Sequence, residues 1–119
     1  MEKSGCVVIK KYHKLIRDRI PGIIKKGGEI PYCKVLNQGE FFEALKKKIL
    51  EEAKELIAAK DRKEVINEIV DILEIVDALI VEIGVSKLEI CTLRRRKNQK
   101  RGAFKKRLFL VITKFKPRA

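Results

Sequence analysis

The chain has no tryptophan, two tyrosines, five phenylalanines, one histidine and three cysteines among its 119 residues. Each shortage removes a class of answer. Cys6, Cys33 and Cys91 are odd in number and widely spaced, which argues against a disulfide framework or a thiolate zinc site and for a reducing cytoplasm. His13 is the single histidine and has no Cys or Ser of nucleophile character near it, so a covalent mechanism has no obvious carrier. A Gly-rich P-loop and a Rossmann fingerprint are both missing. No apolar run approaches the ~18 residues a spanning helix needs. The lead-in from Met1 to Lys11 holds only a short apolar patch, Cys6 to Ile9, too little for a signal-peptide core. So few aromatics (Phe41, Phe42, Phe104 and Phe109 are the pocket candidates) leave base identity unread.

Acidic residues are absent from one region. From Arg94 to Ala119 there are twelve Lys or Arg and no Asp or Glu, whereas the preceding 93 residues carry 17 basic and all 16 acidic residues. The net charge of +13 is therefore a property of the last quarter of the chain. Such a segment attracts polyanions, either nucleic acid or the phosphates of a small nucleotide, unless it is simply a solvated basic tail.

What is present is helical periodicity. A length of 119 residues fits a single domain, 1–119, able to bury a core without staples. Cys6–Ile9 reads as a short strand or lead-in. Pro21 opens a short helix to Lys26, closed by Gly27-Gly28, and Ile30–Leu36 reads as extended. Asn37 stands three before Glu40, Asp61 three before Glu64, and Ser86 three before Glu89, each a helix-start signal of capping-box type. The helices they open run through Phe42, Leu45, Ile49, Ala53 and Leu56; from Asp61 to about Ile83, ended by Gly84; and from Ser86 to about Lys100, before Gly102. Leu108–Ile112 reads as a C-terminal strand. The expected fold is mainly α, an antiparallel helical bundle with a minor β element from short N-terminal and C-terminal strands.

The helix after Asp61 is apolar over more than half its circumference, through Ile66, Ile69, Val70, Ile72, Leu73, Ile75, Val76, Leu79, Ile80, Val81 and Ile83. A helix of that kind needs cover on several sides, so a second copy of the chain is expected in a homodimer or larger homo-oligomer. Asp77 falls inside this apolar arc, which places it either at a partner across an interface or close to a polar site.

Two acid pairs carry the chemistry. Glu52 and Glu55 sit three apart, and so do Glu68 and Asp71, so each pair shares a helix face. A short connection favours antiparallel packing, which lets the pairs converge. Converging carboxylates repel one another unless a cation lies among them, and hard oxygen ligands suit Mg²⁺ or Mn²⁺. The alternative is a solvated acidic surface. Glu52 borders the apolar stripe beside Leu45 and Leu56, Glu55 is one step round, and Glu51 points further outward. Arg94–Arg101 supplies cations suited to a triphosphate, or else a basic helix end facing water.

Glu52-x-x-Glu55, twelve further residues and Glu68-x-x-Asp71 resemble the signature of the MazG-like all-α nucleoside triphosphate pyrophosphohydrolases. Lys14-Leu15-Ile16-Arg17-Asp18-Arg19-Ile20-Pro21 resembles the N-terminal motif of a branch described as predicted house-cleaning enzymes. Arg101-Gly102-Ala103-Phe104 is similar to the Arg-Gly-Gly-Phe that follows its last helix, with Ala103 in place of the second Gly. The resemblance spans about Tyr12 to Leu110. It implies Mg²⁺-dependent cleavage of a nucleoside triphosphate, non-standard or damaged ones included, to monophosphate and pyrophosphate. It also implies a metal held by Glu52, Glu55, Glu68 and Asp71, with Glu52 or Glu55 orienting or deprotonating the attacking water. Lys97 and Arg101, and then Arg94, would contact phosphates, and Lys14, Arg17 and Asp18 would close over the site. Phosphoribosyl-ATP pyrophosphohydrolase, a relative with similar acids and helices, and a non-enzymatic basic nucleic-acid binder are the competing readings.

Overall fold

The computed structural model describes residues 6–118. Among them are four helices, α1 (Ile20–Lys26), α2 (Gln38–Ala58), α3 (Arg62–Ile83) and α4 (Lys87–Arg101). None of these four helices is long and apolar enough to cross a membrane.

Side chains next to each helix start it. At α2 the Asn37 side chain accepts from the Glu40 N–H at 2.9 Å while the Glu40 carboxylate accepts from the Asn37 N–H at 3.2 Å. Two orphan donors are satisfied reciprocally. Asp61 caps α3 by accepting from the Glu64 N–H at 2.8 Å, but the Glu64 carboxylate reaches back to the Lys60 N–H instead. Ser86 caps α4 through the Glu89 N–H at 3.0 Å. Gly84 ends α3 in the left-handed region, at φ 76° and ψ 21°, where a Cβ would be strained.

The chain forms two compact units, one ending at Gly84 and the other beginning at Val85. In the first, α2 packs on α3. Three residues, Ala59–Asp61, join them, and so short a connection folds the two into an antiparallel hairpin. Their contact buries Leu45 from α2 and Ile75 and Ile80 from α3. The apolar circumference of α3 is only partly used. Ile69, Val70, Leu73 and Val81 remain 45–75% exposed. Asp77, expected inside the apolar arc, is half-buried there and has an interaction of its own. The second unit holds α4, which buries no residue, and the irregular segment after it.

The expected β element is corrected. No strand occurs among the described residues: Cys6–Ile9 and Leu108–Ile112 are both irregular and exposed. A strand exists only through a ladder to another backbone, and neither segment has one, so β-branched composition alone made nothing. Ile30–Leu36 is likewise irregular.

Candidate metal centre

The hairpin sets Glu52 level with Glu68. Glu52 lies eight residues before Lys60 in the connection, and Glu68 lies eight residues after it. In an antiparallel hairpin, positions equidistant from the turn face each other, so the spacing in sequence becomes convergence in space. Carboxylate oxygens of Glu52, Glu68 and Asp71 all lie within 4.8 Å of one another, and so do those of Glu51, Glu52 and Glu55. Glu52 belongs to both groups.

Burial differs sharply among these acids. Glu52 is 6% exposed and is the one charged side chain in the core of the described residues. Glu51, Glu68 and Asp71 are half-buried, and Glu55 is exposed. The helix wheel placed Glu51 further outward than Glu55, whereas in the structure Glu51 is the more covered of the two. Burial pushes the Glu52 carboxyl up to about 7 from its ordinary 4.5, helped by proton sharing with Glu68 and Glu55 and by the charges of Glu55 and Asp71. An ionised carboxylate loses hydration there and gains like-charged neighbours, so it keeps its proton.

The cations around the cluster were only partly legible. Lys48, one turn before Glu52 on α2, was missed: its ammonium lies 3.1 Å from Glu51 and 3.8 Å from Glu52. The signal was the i, i+4 spacing from Lys48 to Glu52, which puts the two on one face. Two cations come from the irregular segment before α1. Arg17 donates to Asp71 Oδ1 at 2.7 Å, and Lys14 lies 4.0 Å from Glu51. Asp18 is exposed. In the second unit, Arg94, Lys97 and Arg101 are exposed on α4, where they line one depression together with Lys100.

The acids fit a divalent cation. Oε2 of Glu52 and Oε2 of Glu68 are buried without a hydrogen-bond partner, and a buried carboxylate oxygen left unpaired costs free energy that a cation recovers. All the converging donors are hard carboxylate oxygens, with neither sulfur nor imidazole among them, a set suited to Mg²⁺ or Mn²⁺.

The sequence model of the phosphoribosyl-ATP pyrophosphohydrolase family matches residues 9–99, which contain all of these acids together with Lys14, Arg17 and Lys97. The chain belongs to that family. The family lies within the MazG-like all-α pyrophosphohydrolase superfamily. An uncharacterised protein of Mycolicibacterium smegmatis is 43% identical over 49 residues, 41% of this chain and 50% of the relative. The chain therefore spans about half the length of the curated relative it matches. No solved structure matches. Family membership and the acid cluster rest on separate observations, and the family match ends before Arg101-Gly102-Ala103-Phe104.

Proposed function

We propose that this protein is a divalent-metal-dependent pyrophosphohydrolase that cleaves nucleoside triphosphates, non-standard or damaged ones among them, to the monophosphate and pyrophosphate. The observation that carries this reading is the meeting of Glu52, Glu68 and Asp71 across the α2–α3 hairpin, with a buried Glu52 oxygen left unpartnered. Glu52, Glu55, Glu68 and Asp71 would hold the cation, Mg²⁺ first and Mn²⁺ second. When bound, such a cation neutralises phosphate charge and acidifies a coordinated water.

The protein's own residues supply the rest. Glu52, whose carboxyl burial raises to about 7 without a cation and which a bound cation would draw into its ionised form, would orient a water toward the α-phosphorus and accept its proton. Glu55, exposed beside it, is the other candidate for that task. Lys97, Arg101 and Arg94 provide charge-assisted donors for phosphate oxygens, as do Lys14 and Arg17. The exposed apolar face of α3 supports a homodimer or larger homo-oligomer as the working form, which light scattering on the purified protein checks: a monomer at micromolar concentration overturns it. Three exposed, unpaired cysteines fit a cytoplasmic setting.

Phosphoribosyl-ATP is the second substrate reading, favoured by the family whose sequence model matches. It carries the same triphosphate and loses the same pyrophosphate. One panel separates the two: pyrophosphate release with Mg²⁺ from standard and modified nucleoside triphosphates and from phosphoribosyl-ATP. Turnover of the nucleoside triphosphates, lost in Asp71→Asn, is the expected result. Turnover of phosphoribosyl-ATP alone shifts the assignment to the biosynthetic reaction. Inactivity of the wild type on every substrate, or full activity of Asp71→Asn, rejects the site. The basic run from Arg94 onward, exposed throughout its described length, favours a nucleic-acid binder as the non-enzymatic reading. It requires steeply salt-dependent binding of DNA or RNA that persists when the four acids are neutralised.

A further inference from the structure

Of the three acids that meet across the hairpin, one is already neutralised by the protein itself. Asp71 Oδ1 accepts from the Arg17 guanidinium at 2.7 Å, at the short end for a charge-assisted bond. Lys14, three residues earlier, lies 4.0 Å from Glu51. The segment before α1 is thus fastened to both long helices, through Lys14 to α2 and through Arg17 to α3. Glu52 Oε2 and Glu68 Oε2 remain without partners.

A divalent ion drawn to those unpartnered oxygens meets a guanidinium on the third acid of the same group. The two are cations competing for one carboxylate, and like charges that close repel. A supporting partner that stays in place and orients a metal ligand is the other arrangement proteins use. Arg17 lacks the firm seat such a partner has. Its side chain is 55% exposed and lies outside any helix; the turn that its carbonyl closes with the Ile20 N–H at 3.0 Å seats the backbone, while the guanidinium reaches Asp71 across 54 residues of sequence.

We propose that Arg17 is a tethered cation that holds Asp71 in the metal-free protein and is displaced when a divalent ion enters. Displacement frees its guanidinium for the phosphates of the substrate, so that phosphate recognition by this segment follows loading of the site. This rests on the metal-site reading above and adds an order of events to it.

The test is calorimetric titration of Mn²⁺ into the wild type, Arg17→Gln and Lys14→Gln at pH 8. Removing the competitor tightens Mn²⁺ binding by about 2- to 5-fold in Arg17→Gln, as expected for a partly exposed ion pair. Lys14→Gln removes the same charge from the same segment without touching Asp71, and changes affinity by less than about 2-fold. Inorganic tripolyphosphate then binds the Mn²⁺-loaded Arg17→Gln protein about 10-fold more weakly than the loaded wild type. In the wild type, which needs no variant to fold, Mn²⁺ speeds tryptic cleavage after Arg17 relative to a free peptide of residues 10–22. Weaker or unchanged Mn²⁺ binding in Arg17→Gln overturns the exchange and makes Arg17 a supporting partner. Equal tightening in both variants also overturns it, as a general field effect, and so does slowed or unchanged cleavage. If none of the three proteins binds Mn²⁺, the metal site itself falls, and the exchange with it.

Discussion

Replacing Glu52 by Gln should stabilise the metal-free protein at pH 8, although the residue is central to the proposed site. Glu52 is 6% exposed, and burial moves its carboxyl from 4.5 to about 7. Moving a proton equilibrium that far corresponds to roughly 2–4 kcal/mol. The sign follows from proton counting. Between about 4.5 and about 7 the folded chain keeps a proton that the unfolded chain has lost, so stability falls as pH rises through that window. Above it, the full cost of a buried carboxylate is present. Gln keeps the shape, removes the charge and offers its amide to the Glu55 and Glu68 carboxylates. Allowing for partial relief by Lys48, at 3.8 Å, the gain in EDTA at pH 8 should be ~1–3 kcal/mol, or about 4–12 °C in melting temperature for a chain of this size. At pH 5, where wild-type Glu52 is protonated, the two proteins should melt together. Mn²⁺ at ~1,000 times its Kd should reverse the order at pH 8, because it adds about 4.1 kcal/mol to the wild type and little to the variant. Calorimetric or fluorescence melting reads all three conditions. A Glu52→Gln protein that melts below wild type at pH 8 in EDTA refutes the claim that this carboxylate is held at a cost.

Three further outcomes are expected. Mn²⁺ binding should release about one proton at pH 6 and almost none at pH 8.5, because the Glu52 carboxyl titrates at about 7; titrations in buffers of different ionisation enthalpy measure this, and pH-independent release contradicts it. Lys97→Ala and Arg101→Ala should each raise KM by about 10-fold while circular dichroism stays unchanged, and an unaltered KM removes that residue from the phosphate site. Gly102 follows α4 at φ 80° and ψ 175°, a region open almost only to glycine, so Gly102→Ala should cost ~1–3 kcal/mol locally; hydrogen exchange at the end of α4 should speed up, and unchanged protection there contradicts the strain.

What the sequence disclosed was local or had local consequences. Asn37, Asp61 and Ser86 could be read as helix starts because a cap acts within three residues. Convergence of Glu52 with Glu68 could be read because equal distances from a short turn translate directly into facing positions, and Asp71 follows because it shares the face of Glu68 three residues on. The missing strands failed for the opposite reason. Leu108–Ile112 has the composition of a strand, but pairing depends on a partner elsewhere in the chain, which composition does not report. Glu51 was misjudged because a wheel drawn for one helix ignores the neighbours that approach it, Lys48 at 3.1 Å and Lys14 at 4.0 Å. The Arg17–Asp71 bond joins residues 54 apart. Resemblance grouped Arg17 with the site, but no spacing rule named Asp71 as its partner.

The central claim is hydrolysis at the α-phosphorus by water that the acid cluster positions. Turnover of the best substrate with Mg²⁺ in ¹⁸O-labelled water tests it most directly, with mass spectrometry of both products. Attack at the α-phosphorus puts the label in the nucleoside monophosphate and none in pyrophosphate; label in pyrophosphate, or release of orthophosphate in its place, rules that attack out.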